Sequence, residues 1–137
     1  MNIGYLSGPM TDIEEYNHPE FRRVGDILVR SGLLRKLINP SDMDEGEQAW
    51  SYYLKRDLCM ILNGNVDTII LLPGWQASKG ARIEVRVAIE VLDAEVYTYR
   101  DTEEGFSLTP LHVYPETMIK CKAARSKTIN VPLEVAV

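Results

Sequence analysis

The chain has 137 residues, 45% of them hydrophobic and 26% charged, with a formal net charge of −5. That length suits one domain, and the apolar fraction argues against a disordered chain. The acidic balance argues against binding duplex nucleic acid, which needs a basic face, while a helix N-terminus can still hold a small anion.

Residues 2–7 (NIGYLS) read as a short apolar first strand, stopped by Gly8 and Pro9. A helix follows, with Pro19 at its first position, Asn17 or His18 as its cap and Gly32 at its far end. Phe21, Val24, Ile27 and Leu28 recur at the spacing of one helical face. RKLINPSD gives a short second strand ending at Pro40, and an acidic loop over 42–47 leads to a second helix over about 49–62. Its apolar stripe is Trp50, Tyr53, Leu54, Leu58 and Ile61, and Asp57 falls inside that stripe. A carboxylate on an inward face needs a partner; at the stripe's solvated edge it would need none.

VDTIILLP (66–73) is a nearly continuous run of β-branched and leucine side chains, the pattern of a central parallel strand covered on both faces. A third helix is predicted over 79–92, burying Ile83, Val87 and Val91, and AEVYTY (94–99) is the next strand. Strands and helices alternating in this way define an α/β fold with right-handed crossovers. The expectation is a three-layer, flavodoxin-like (Rossmann-like) sandwich around a mainly parallel sheet of about five strands. It forms a single domain with its core at 1–99 and a C-terminal extension at 100–137. Within the extension, 115–126 reads as a short helix. The closing TINVPLEVAV alternates, with Ile129, Val131, Leu133, Val135 and Val137 on one side, and Pro132 confines it to a sheet edge or to pairing with another subunit.

No stretch approaches the roughly 20 apolar residues of a membrane span. The opening MNIGYLSGPMT lacks a basic region followed by a long apolar run, so no signal peptide is expected. Cys59 and Cys121 belong to no paired motif and read as reduced cytoplasmic thiols. His18 and His112 lack metal-ligand spacing, so neither a structural metal nor a cofactor is expected.

In open α/β sheets, ligands sit outside the carboxyl ends of the strands where strand order reverses, here between the first and third strands. The loop leaving the third strand, LLPGWQASKGARIE, has the features of an anion site. Ser78 suits the cap of the third helix, Gly80 leaves the backbone approachable, and the N–H groups of Gly80 and Ala81 point at the entrance. Glu84, four residues after Gly80, leans toward that entrance, because helical side chains tilt to the N-terminus. Alone, Glu84 reads equally as a surface glutamate paired with Arg82 or Arg86. Together with Asp57 it forms the carboxylate pair that glycosidic chemistry uses. Tyr5, near the end of the first strand, either orients the nucleophile or is an ordinary core tyrosine. Trp75 either stacks on a planar base or plugs the loop onto the domain.

These segments, YLSGPMT, YLKRDL and LLPGWQASKGARIEVRVAIE, resemble the nucleoside 2-deoxyribosyltransferase-like superfamily over about residues 1–99. The nearest resemblance is to the 2'-deoxynucleoside 5'-phosphate N-hydrolase-like phage and bacterial members. The resemblance implies Glu84 as nucleophile, Asp57 as the catalytic aspartate, Tyr5 as the strand-one tyrosine and Ser78 as a phosphate-binding serine. It further implies that Ser7, Gly8, Pro9 and the backbone after them line the sugar-phosphate pocket. The run Pro9, Met10, Thr11 and Asp12 departs from the polar, basic run of the hydrolases. The asparagine and terminal carboxylate that the transferases lend to a neighbour's site have no match. The expected activity is cleavage of the base–sugar bond of a (deoxy)nucleoside 5'-monophosphate through a glycosyl-Glu84 intermediate. The alternatives are base exchange, or non-catalytic sequestration of a nucleotide. The partners expected are the nucleotide or nucleoside and further copies of the chain, a dimer or larger, in the cytoplasm (the host's, for a phage protein).

Overall fold

A computed structural model describes residues 1–43, 46, 48–111, 113–114, 119–120 and 127–133. The sheet at its centre has six strands. They are β1 (Ile3–Ser7), β2 (Lys36–Ile38), β3 (Thr68–Leu71), β4 (Glu95–Asp101), β5 (Gly105–Pro110) and β8 (Ile129–Pro132), in the spatial order β2-β1-β3-β4-β5-β8. The first three pairings are parallel, while β4–β5 and β5–β8 are antiparallel. Two short strands, β6 (Val113–Tyr114) and β7 (Ile119–Lys120), pair separately. The fold is therefore α/β with a mixed sheet, one strand larger than expected and parallel through its first four strands.

The three crossovers are α1 (His18–Ser31), α2 (Trp50–Asn63) and α3 (Lys79–Leu92). Strand alternation explains how they are held. In β3, Ile69 and Leu71 join one buried cluster with α2 and α3 residues such as Ile61, Val85 and Ile89. Ile70 and Leu72 join the other, with Phe21, Val24 and Leu28 of α1. All four β3 residues are buried, as its uninterrupted apolar run requires.

Several expectations are corrected at the level of faces. In α3 the buried side chains are Ala81, Glu84, Val85, Ala88 and Ile89. Ile83 and Val87 are half-buried, and Val91 is 64% exposed. Two alanines let the helix axis approach the sheet closely, a benefit that a count of large apolar side chains misses. In α2 only Asp57 and Ile61 are fully buried, and Trp50 stands 41% exposed at its start. Asn17 takes the cap position of α1 in a left-handed conformation without a side-chain cap; its amide instead donates to the Pro9 carbonyl at 2.9 Å.

β4 runs on to Asp101, and β5 brings Phe106 and Leu108 fully into the core. β8, with Pro132, lies at the sheet edge as expected, and Ile129 and Val131 pack against the α1-side cluster. Of the predicted helix over 115–126, only 119–120 fall within the described residues, and they form a strand. Cys121, His112, Val135 and Val137 lie outside the described residues.

Candidate active site

β1 lies between β2 and β3, so the chain leaves β1 on one side and returns on the other. The crevice outside β1 and β3 is the reversal point at which α/β sheets bind ligands. The two strand ends are drawn together there: Leu72 N–H donates to the Ser7 carbonyl at 2.8 Å. Gly8 is what permits this approach, because a Cβ at that position would sit 2.8 Å from Leu72 Cβ. Pro9 in turn abuts the turn at Gly74, its Cγ 3.5 Å from where a Cβ would lie.

Tyr5 and Ser7 are two residues apart on β1 and therefore share a face, the one covered by α3. Between them they hold Glu84. The Tyr5 hydroxyl donates to Oε2 at 2.7 Å and the Ser7 hydroxyl to Oε1 at 2.8 Å. Tyr5 and Ser7 are fully buried, and Glu84 is 5% exposed. The reading of Glu84 as a surface glutamate paired with Arg82 or Arg86 is thus overturned. Arg82 donates to the Gln76 carbonyl and Arg86 to Glu90.

Asp57, on α2 and 7% exposed, lies near enough for its charge to act on Glu84. Its partner is Arg56, whose Nε and Nη2 donate to Oδ1 at 3.1 and 3.0 Å. Burial first, and then the negative charge of Asp57, push the Glu84 carboxyl up to about 8. The Tyr5 and Ser7 hydrogen bonds and the Arg56 charge act in the opposite direction. Burial, followed by the charges of Glu84 and Asp57, holds the Tyr5 phenol well above its usual range. Two hydroxyl donors favour the charged carboxylate, and the low-dielectric surroundings oppose it. The outcome is a carboxyl group that loses its proton near pH 8.

The phosphate-seat residues are placed less uniformly. Ser78 caps α3, its Oγ accepting from Ala81 N–H at 3.2 Å. That N–H is engaged by the cap, and the Ala81 side chain is buried in the core. The Ser78 hydroxyl keeps its own hydrogen to donate. Gly80 leaves open space beside the start of α3. A Cβ there would meet only Trp50 Nε1, at 3.8 Å, so the glycine is not required by packing. Trp75 is 4% exposed within the α3-side cluster, so it plugs the loop onto the domain and offers no face to a base.

Two features escaped the sequence. Ser7 was expected only as pocket lining, although the period of two from Tyr5 places both hydroxyls on one face. Arg56 gave no signal, because its role depends on tertiary partners. Among the described residues, no three His, Cys, Asp or Glu side chains converge as a metal site, and no helix is long and apolar enough to cross a membrane.

Fold and site define an α/β protein with a buried, doubly hydrogen-bonded carboxyl at a strand-order reversal. The chain belongs to the family described as domain of unknown function DUF4406, whose model matches residues 2–97. That span contains Tyr5, Ser7, Asp57 and Glu84. Neither the curated proteins nor the solved structures give a match.

Proposed function

We propose that the protein is an N-glycosidase acting on a (deoxy)nucleoside 5'-monophosphate, with Glu84 as the nucleophile. The observation that carries the reading is the clamp on Glu84, with one hydroxyl on each oxygen and Asp57 alongside. Near neutral pH most of this carboxyl is protonated, so no cation is needed to balance it. The two hydroxyls fix its direction, and the ionised fraction is free to meet an electrophile.

In the first step a Glu84 oxygen bonds to C1' as the C1'–N bond breaks, its electron pair leaving with the base, which takes up a proton. Water then attacks C1', releasing the sugar phosphate and restoring the Glu84 carboxyl. Held by Arg56, Asp57 is an acceptor suited to orienting a sugar hydroxyl, and the leaving base takes its proton from solvent. The 5'-phosphate would rest at the start of α3, against the Ser78 hydroxyl and the open backbone at Gly80. The flavodoxin-like, three-layer arrangement belongs to the same reading. The order β2-β1-β3-β4, with α1 on one face and α2 and α3 on the other, supports it. The free, exposed thiol of Cys59 suits a reducing cytoplasm.

A panel of deoxynucleoside monophosphates, incubated with and without a free acceptor base, tests the proposal. Free base appearing without an acceptor supports it. Release only on exchange marks a transferase, and bound, unchanged nucleotide marks sequestration.

A further inference from the structure

Residues at i and i+1 on a helix do not face each other, so Arg56 and Asp57 do not meet by default. Here the arginine folds back to place two nitrogens on Asp57 Oδ1. Its remaining reach goes to the loop between β2 and α2. Nη1 donates to the Met43 carbonyl at 3.1 Å, and Nη2 lies 3.5 Å from the Pro40 carbonyl. The Tyr53 ring lies 5.2 Å from the guanidinium carbon. The Arg56 and Asp57 side chains are only 13% and 10% exposed. An arginine with no task at this position would extend into water.

We propose that Arg56 is a positioning residue of the Glu84 site, fixing Asp57 beside Glu84 and tying both to the β2–α2 loop. The charged and titratable groups facing Glu84 among the described residues are Tyr5 from β1 and Asp57 and Arg56 from α2. Asp57 and Arg56 act on Glu84 with opposite sign, so the pair moderates the carboxyl while keeping an acceptor in the site. Arg56 also lines an open groove with Asn39, Asp42, Met43 and Asn63. The inference rests on the glycosidase reading only for what Glu84 does.

Carboxyl ¹³C NMR of Glu84 across pH, without substrate, reads the effect directly. Arg56→Gln should move the Glu84 midpoint upward by about one pH unit, Asp57→Asn should move it downward, and Arg56→Lys should fall near the wild type. A folded Arg56→Gln that titrates with the wild type overturns the proposal. Should Arg56→Gln fail to fold, the wild-type Arg56 Nε–H resonance decides. It should exchange slowly and shift with the Glu84 midpoint; a fast-exchanging, pH-invariant resonance overturns the proposal. Inactivity toward nucleotides would defeat the proposed function and leave this result readable.

Discussion

The Tyr5 hydroxyl donates to Glu84 Oε2 at 2.7 Å, joining the first strand to the third helix across 79 positions of sequence. Because Ser7 holds the other oxygen, the carboxyl plane of Glu84 is set by β1 rather than by its own helix. In the proposed reaction this orientation would direct the carboxylate at the sugar carbon.

Tyr5→Phe removes one of the two donors and leaves packing nearly intact. Base release should fall by about 10–100-fold in kcat with little change in KM, since the loss is one of orientation. Thermal unfolding should show a loss of about 1 kcal/mol. Single-turnover kinetics and calorimetry on the same preparation check both.

The Glu84 carboxyl gives stability a defined pH dependence. Its folded value, about 8, lies above its ordinary 4.5, so the native state binds more protons than the unfolded chain between those limits. The contribution is fully present below about 4.5 and is lost as pH rises through about 8. Glu84→Gln, which stays neutral, should therefore gain in Tm over the wild type as pH is raised toward 9. Parallel unfolding scans at a series of pH values measure that difference.

Activity should carry the same group with the opposite sense. The nucleophile must be ionised, so kcat/KM should rise with pH and level off above about 8. Asp57→Asn removes a negative charge next to Glu84 and should shift that rise to lower pH, while lowering kcat through the lost sugar contact. A pH–rate profile of the two proteins separates the effects.

The two glycines at the site should respond differently. Gly8→Ala drives a Cβ to 2.8 Å from Leu72 Cβ and should destabilise the fold by about 1–3 kcal/mol. Gly80→Ala meets nothing nearer than 3.8 Å and should stabilise α3 by up to about 1 kcal/mol. Nucleotide affinity, measured by calorimetric titration, should nonetheless fall in Gly80→Ala, because the methyl group occupies the approach to the backbone.

How much of this was legible depends on what carried each signal. The bounds of α3, residues 79–92, followed from the cap at Ser78 and the apolar period. Its buried face did not, because Ala81 and Ala88 count little on a hydrophobic scale yet decide how closely a helix docks. Asp57 stood out as a charge inside an apolar stripe, and burial bears out its inward position. Arg56 was silent because two of its partners are the carbonyls of Pro40 and Met43, which any residue type supplies. Trp75 was ambiguous for a related reason. Whether an aromatic in a glycine turn faces ligand or core depends on the space beneath it, here filled by the α3-side cluster. Alternation around Pro132 marked β8 as an edge strand, whereas β5 depends on an antiparallel pairing that local pattern does not encode.

The proposed reaction turns on a covalent bond between Glu84 and the sugar. Quenching the protein in acid during turnover of a deoxynucleoside monophosphate, followed by intact-mass and peptide mass spectrometry, tests it directly. An added deoxyribosyl phosphate should appear on the peptide that carries Glu84 and be absent from Glu84→Gln, which should release no base. Base release by Glu84→Gln at the wild-type rate, or an adduct on another residue, would contradict it.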